Sequence, residues 1–352
     1  MKIAVLTSGG VDSSVALRLL KEEGHDITAF YLKIWLEDEL SYLGECPWEE
    51  DLEFVQKICS EIDVPLKIVP MQKEYWERVV KYTVAEAKAG RTPNPDVLCN
   101  EQIKFGQFYE SIDDSFEKVA TGHYAQVSGE RLAESGELLY TLRRAPDPVK
   151  DQTYFLAKIS QQQLSRAMFP IGKYKKEEVR ELARKYDLPN KDRKDSQGIC
   201  FLGKIPFREF LKHHLDEKPG DFVELSTGKK LGEHLGFWFY TIGQRQGLGL
   251  SGGPWFVVKK DVDRNIVYLA QGYQPEEVYK KEFEVGPVHL ISGERVAASG
   301  ELFVKIRHGE AMHECRVEGN KVTLKEPVHG VAAGQFAVFY SGDICLGSAM
   351  IV

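Results

Sequence analysis

The chain has 352 residues, 43% hydrophobic, 28% charged and 11% aromatic, a balance that suits two or three globular domains and excludes a disordered or collagen-like polypeptide. No apolar run approaches the ~20 residues of a membrane span, and Met1-Lys2-Ile3-Ala4-Val5-Leu6 turns polar too early for a signal-peptide core, so a cytoplasmic protein with no membrane partner is expected. With 46 basic against 53 acidic side chains the formal charge is -7, which argues against a uniformly basic nucleic-acid coat.

Lys2 to Leu6 reads as a short buried strand, followed by a glycine-bearing turn and an apolar-periodic helix over 12–23 that Gly24 ends. The pattern then repeats. Residues 27–35 are strand-like, and Leu52, Phe54, Val55, Ile58, Cys59 and Ile62 share one helix face. A strand at 66–69, a helix stripe of Trp76, Val79, Val80, Val84 and Ala87, and a strand at 118–121 running into Gly122-His123-Tyr124 complete the series. Strands alternating with helices predict an α/β fold, a doubly wound parallel sheet with its ligand at the carboxyl ends of the strands.

Over 143–212 the chain carries 17 Lys and Arg against 9 Asp and Glu. The pattern around Val179, Leu182 and Ala183 is helical, so a basic helical extension able to hold phosphates is expected from about 143. After Pro206 the texture changes to short β-rich runs: Trp238-Phe239-Tyr240, Phe256-Val257-Val258, Ile266-Val267-Tyr268, Phe303-Val304-Lys305-Ile306 and Phe336-Ala337-Val338-Phe339. Turn signals at Asp263-Arg264-Asn265 and Glu318-Gly319-Asn320 separate them. The expected division is a catalytic domain over 1–205, a small central β domain over 206–278 and a C-terminal β-barrel-like domain over 279–352.

Six cysteines, at 46, 59, 99, 200, 315 and 345, include no CxxC pair, so no metal site is expected. Cys59, Cys315 and Cys345 fall at inward-facing positions and read as small core residues. Gly247-Leu248-Gly249-Leu250-Ser251-Gly252 satisfies GxGxxG, but Pro254 and β-like surroundings deny it the strand-to-helix context of a dinucleotide loop.

Two stretches carry chemistry. Ser8-Gly9-Gly10-Val11-Asp12-Ser13-Ser14 lies between the first strand and the first helix, where backbone N–H groups and the helix dipole cradle an anion. It is a phosphate loop without a Walker lysine, in which Asp12 can hold Mg²⁺ against a pyrophosphate leaving group. In Gly90-Arg91-Thr92-Pro93-Asn94-Pro95-Asp96-Val97-Leu98-Cys99-Asn100 two prolines stiffen the chain just before an acid and a thiol. An ordinary thiol is only a few per cent thiolate near pH 7, so Asp96 beside Cys99 offers a proton relay.

The first stretch resembles the pyrophosphatase-type (PP-loop) motif of adenylating enzymes that cleave ATP between its α- and β-phosphates. The second resembles the signature of the bacterial tRNA-specific 2-thiouridylases, which also have a cysteine in a motif like Asp195-Ser196-Gln197-Gly198-Ile199-Cys200-Phe201. The likeness continues through Ala120-Thr121-Gly122-His123-Tyr124, Lys150-Asp151-Gln152-Thr153-Tyr154-Phe155-Leu156, Thr241-Ile242-Gly243-Gln244-Arg245 and Gly247-Leu248-Gly249, and covers essentially the whole chain. It departs from the commoner pattern between Ile34 and Asp51, which leaves Cys46 without a role, and at Thr7, where an apolar residue is frequent.

The resemblance implies an adenine nucleotide alpha hydrolase-like domain and two β domains. It implies ATP contacts at Leu6, Thr7, Ser8, Gly9, Gly10, Val11, Asp12, Ser13, Leu32 and Gly122, and a target uracil surrounded by Asn94, Pro95 and Asp96. Cys99 would be the nucleophile and Cys200 the persulfide carrier, joined as a transient disulfide during turnover. His123, Lys150, Asp151, Gln152, Arg307, His308 and Gln335 would meet tRNA. The implied reaction adenylates O2 of the wobble uridine of tRNA of the Lys, Glu and Gln type, with ATP and Mg²⁺, and replaces that oxygen with sulfur from a relay or cysteine desulfurase protein. Three rivals remain: an idle tRNA-binding protein, another PP-loop adenylating enzyme, and the same reaction run by an iron–sulfur cluster on Cys99, Cys200 and Asp96.

Overall fold

The computed structural model describes residues 1–34, 48–131, 138–195, 206–272, 276–291 and 301–352. Cys46 and Cys200 lie outside them. Ile3, Ala4 and Val5 are fully buried, an unbroken apolar run that suits a strand covered on both faces. Strands β1 (Lys2–Leu6), β2 (Asp26–Lys33), β3 (Leu66–Pro70) and β4 (Lys118–Ala120) are joined by Ala167–Met168 in a parallel sheet of order β3-β2-β1-β4 and then Ala167–Met168. The chain steps outward from β1 to β3 and returns on the other side of β1. The crevice between β1 and β4 is therefore the topological switch point, where such sheets bind ligands. Helix α1 (Val11–Glu22) leaves directly from it.

The expected doubly wound sheet is thus present, and three local readings change. Arg143 and Arg144, which open the basic block, lie on a strand: β5 (Ala125–Arg131) and β6 (Leu138–Arg144) form an antiparallel hairpin. Residues 238–240 are no strand either. Phe237–Phe239 is a 3₁₀ turn following Gly236, and its rings Phe237 and Phe239 are both buried in the core. The helix Lys176–Lys185 is no loose appendage, since Val179 and Ala183 pack with Val11, Val15 and Ala16 of α1 in one apolar cluster.

The central domain is a four-stranded sheet of Trp255–Asp261, Ile266–Gln271, Gly220–Glu224 and Lys230–His234 in that order. The C-terminal strands close into a barrel: Tyr279–Glu284 pairs with Lys321–His329, and beyond it a bridge joins Val285 to Ile351, which follows the last strand, Ile344–Met350. On its outer edge that last strand pairs with β6, Ile344 opposite Arg143 and Cys345 opposite Leu142. The β5–β6 hairpin and the C-terminal barrel strands therefore share one sheet. Among the described residues no helix is long and apolar enough to cross a membrane.

Candidate active site

At the carboxyl end of β1 the backbone of Thr7 donates to the Phe30 carbonyl at 2.9 Å, and the chain then turns through Gly9 at φ 73°. A Cβ there would lie 2.5 Å from the Asp51 carbonyl oxygen, so only glycine fits. Ser8 N donates to Ser13 Oγ at 3.2 Å, and Ser13 Oγ and Ser14 Oγ both donate to the Gly10 carbonyl, at 3.0 and 2.9 Å. Gly10, the N-cap of α1, supplies no side-chain cap, which leaves that helix start suited to an anion. Gly122, at the end of β4, backs onto it so closely that a Cβ would sit 2.7 Å from Ser13 N. Leu6, Gly122 and Leu32 thus stand at the ends of three adjacent strands, around the loop.

Several polar groups that sequence patterning did not single out hold this loop. Asn190 Nδ2 donates to the Gly9 carbonyl at 2.8 Å and to Ser14 Oγ at 2.9 Å, and Arg193 Nη1 donates to the same carbonyl at 3.1 Å. Asp12 accepts from Tyr124 Oη at 2.8 Å and from Lys176 Nζ at 2.8 and 2.9 Å. Burial, with Asp12 alongside, pushes the Tyr124 phenol far up, so it stays protonated and donates. Lys176 also reaches Asp195 at 2.8 Å, and Asp195 takes Lys150 at 2.6 Å and Arg180 as well. Burial alone would raise the Asp195 carboxyl, but hydrogen bonds from Lys150 and Lys176 hold it well below the usual carboxylate range. The hints in the sequence were that Tyr124 closes the Ala120-Thr121-Gly122-His123-Tyr124 motif, that Lys150 opens another, and that Asp195 opens the motif around Cys200.

The second stretch is braced from two sides. Arg91 Nε donates to Glu86 Oε2 at 2.6 Å, and Thr92 N donates to the barrel's Ala333 carbonyl at 2.7 Å. Asn94 caps the helix start Pro95–Leu98 by accepting from Val97 N at 3.4 Å, with Pro95 where proline suits a first turn. Asp96 lies in that turn and remains half-exposed. Cys99 follows at the start of Cys99–Gln107, a π-helical run, a wide winding found often at functional sites. It is 1% exposed and belongs to the same packed cluster as Leu6, with Leu32 against that cluster. One core therefore joins the thiol to the end of the phosphate loop's strand.

Family models match the chain in three consecutive parts: a tRNA methyl transferase HUP domain over residues 1–204, a tRNA methyl transferase PRC-barrel domain over 208–271 and an aminomethyltransferase beta-barrel domain over 280–351. The tRNA-specific 2-thiouridylase MnmA of Parabacteroides distasonis is 47% identical across 100% of this chain and 99% of its own. That of Porphyromonas gingivalis and MnmA 1 of Bacteroides thetaiotaomicron are each 46% identical, with the same coverage. The chain belongs to the tRNA-specific 2-thiouridylase family.

In this thiouridylase-family chain the positions expected to meet tRNA divide into surface and interior groups. Arg307 is exposed, with Nη2 3.1 Å from His329 Nε2. Lys150 is half-exposed but paired with Asp195. His123 is hydrogen-bonded to Thr121 Oγ1 at 2.7 Å, and burial keeps its imidazole neutral, well below the ordinary value. Asp151 is 0% exposed, its carboxylate held by Lys305 at 2.9 Å and Arg144 at 3.0 Å. Gln152 Oε1 accepts from Tyr124 N at 3.0 Å, and His308 belongs with Arg307 on the surface, where its exposed ring stacks on Phe155 with ring centroids 4.7 Å apart. The basic surplus is likewise consumed in part: Arg143, Lys158, Lys176 and Arg193 pair with Asp343, Glu101, Asp12 and Asp51, all outside the block. Four of the eight surplus positive charges read from the charge count are therefore spent on pairs with other parts of the chain.

Gln335, from the barrel, spends most of its hydrogen-bonding capacity on the second stretch. Its Nε2 donates to the Thr92 and Pro93 carbonyls, both at 3.1 Å, while Oε1 accepts from Asn94 Nδ2 at 3.1 Å. A carboxamide has two donor hydrogens and two acceptor lone pairs, and three of the four are in use, since the single proton of Tyr154 Oη goes to the Phe336 carbonyl at 3.0 Å. Gln335 therefore positions the loop. Gln335→Glu would set a carboxylate against two carbonyl oxygens, and kcat is expected to fall about tenfold to a hundredfold through loop misplacement, with the KM for ATP unchanged. A KM for ATP that moved with kcat in steady-state assays would contradict this.

Proposed function

We propose that this chain is a tRNA-uridine 2-sulfurtransferase that adenylates O2 of a wobble uridine and then replaces the oxygen with sulfur. The observation that carries this reading is the single core shared by Leu6, at the mouth of the phosphate loop, and Cys99, behind the Asn94-Pro95-Asp96 turn, in a chain matched end to end by thiouridylases. Activation precedes substitution because a carbonyl oxygen leaves poorly and adenylate leaves well. The loop's backbone N–H groups and the start of α1 bind the phosphates and stabilise the charge that develops there. Asn94, Pro95 and Asp96 surround the uracil, and Asp96 moves the proton that the thiol at Cys99 must lose. Cys200 receives the sulfur as a persulfide from a donor protein. Cys99 attacks its inner sulfur, and the sulfur–sulfur bond breaks as a Cys99–Cys200 disulfide forms. The released sulfide displaces adenylate from C2, after which an external thiol reductant restores both cysteines. The Asp12 carboxylate with the Ser8, Ser13 and Ser14 hydroxyls is a hard oxygen set suited to Mg²⁺, which when bound supplies further neutralisation of phosphate charge.

tRNA-dependent exchange of labelled pyrophosphate into ATP isolates the first step, and mass spectrometry of the tRNA nucleosides reads the second. Asp12→Ala is expected to lower the exchange about 100-fold, with tRNA affinity unchanged. Undiminished exchange would remove the loop from the reaction.

A further inference from the structure

Between Leu6 and Leu17 the phosphate loop and the start of α1 carry a single charged side chain, Asp12. The local sequence thus brings a negative charge to a triphosphate site and no cation. The fold supplies one from 164 positions away: Lys176 Nζ lies 2.8 and 2.9 Å from the two Asp12 oxygens. It is 13% exposed, between an Asp12 that is 31% and an Asp195 that is 29% exposed. Asp195 keeps Lys150 and Arg180 as partners without it. With Asp147, which accepts from the backbone N–H groups of Lys150 and Lys176, the group sets three cations against three carboxylates, so the loop's own negative charge is already neutralised where ATP would bind. Arg193, the other cation on the loop, is anchored to the Gly9 carbonyl and Asp51. Lysine is also suited to such a transfer, being a compact charge on a flexible stem.

We propose that Lys176 is a catalytic residue of the adenylation step, its ammonium passing from Asp12 to the β- and γ-phosphates of bound ATP. The inference rests on the adenylating reading above. In that step uracil O2 bonds to the α-phosphorus as the bond to the α–β bridging oxygen breaks, and the electron pair leaves with pyrophosphate. The N3 proton passes to water. Lys176 transfers no proton and neutralises the charge gathering on the leaving group, the service a loop lysine gives in Walker-type sites.

Titration calorimetry of the full chain with ATP, AMP and inorganic pyrophosphate, for wild type, Lys176→Met, Lys176→Arg and Asp195→Asn, tests this. Lys176→Met is expected to weaken ATP and pyrophosphate about tenfold or more, to leave AMP within about twofold, and to slow tRNA-dependent exchange about 100-fold, with part of the loss recovered by Lys176→Arg. Asp195→Asn leaves the ammonium in place, so pyrophosphate should bind as in wild type or tighter. Pyrophosphate affinity unaltered by Lys176→Met would overturn the proposal, as would equal weakening of ATP and AMP, which marks a damaged loop. Lys176→Gln repeats the comparison should the Met variant fold poorly. Wild-type protein that bound pyrophosphate through Lys176 yet showed no tRNA-dependent exchange would refute adenylation and leave the lysine contact standing.

Discussion

Cys99→Ser and Cys200→Ser are each expected to lower tRNA thiolation about 10³-fold or more while tRNA affinity, read by filter binding, stays within about threefold. A hydroxyl can neither carry the transferred sulfur nor attack a persulfide at a comparable rate, and a serine at position 99 replaces sulfur by oxygen at nearly constant shape. The remaining described thiols offer no bypass. Burial pushes Cys59 up to about 11 and Cys315 up to about 12, and Cys345 higher still in a fully buried site, so their thiolate fraction at neutral pH is negligible. Peptide mapping of unreduced protein after a single turnover should then yield a Cys99–Cys200 linkage. A mutant with wild-type turnover, or a linkage of Cys200 to Cys59 or Cys315, would refute the two-cysteine scheme.

Lys305→Met is expected to cost about 2–3 kcal/mol, because it removes one of the two cations that hold a fully buried carboxylate and leaves Arg144 alone to compensate it. Lys305 and Asp151 are both 0% exposed and 2.9 Å apart, one on a barrel strand and the other at the end of the catalytic domain's hairpin region. Asp151 also takes Thr153 Oγ1 at 2.8 Å and Arg144 at 3.0 Å. The doubly neutral Asp151→Asn with Lys305→Met should recover part of the loss, and chemical denaturation of the three variants measures it. Burial works to raise the Asp151 carboxyl, but Lys305 overcomes it and the net value lies below the ordinary one. The carboxylate's contribution is therefore complete above the unfolded value near about 3.9, and is lost as pH falls through the lower folded value. A Lys305→Met variant as stable as wild type at pH 7 would show that this pair does not hold the domains together.

What was legible in the sequence was local. The apolar run at Ile3, Ala4 and Val5 and the glycines at 9 and 10 announce a buried strand and a phosphate loop because the residue types that mark them are adjacent in the chain and the Ser13 and Ser14 contacts to Gly10 are local, although β2, Asp51 and Asn190 complete them from far away. The β5–β6 hairpin was invisible for the opposite reason. Residues 125–131 carry Gln126, Ser128, Gly129, Glu130 and Arg131, a polar run that stays a strand by pairing with β6, itself docked on a strand at the far end of the chain. Gln335 and Lys176 follow the same logic. Each lies in an unremarkable local pattern and gains its role from partners 241 to 243 and 164 positions away. The misreading at Trp238-Phe239-Tyr240 has another cause: an aromatic cluster buried on several sides satisfies a tight turn as well as it does a strand, and Gly236 at φ 146° redirects the chain just before it.

The shared sheet also fixes an order of events during synthesis. Arg143 and Asp343, which pair across the seam, stand 200 positions apart, so at roughly 5–20 residues per second the outer edge of β6 waits about 10 to 40 s on the ribosome before its partner strand emerges. Until then the nascent catalytic domain presents an unpaired strand edge to every neighbouring nascent copy. A stop codon that falls shortly before Ile344–Met350 makes that wait permanent, leaving a sticky fragment that still contains the entire phosphate loop.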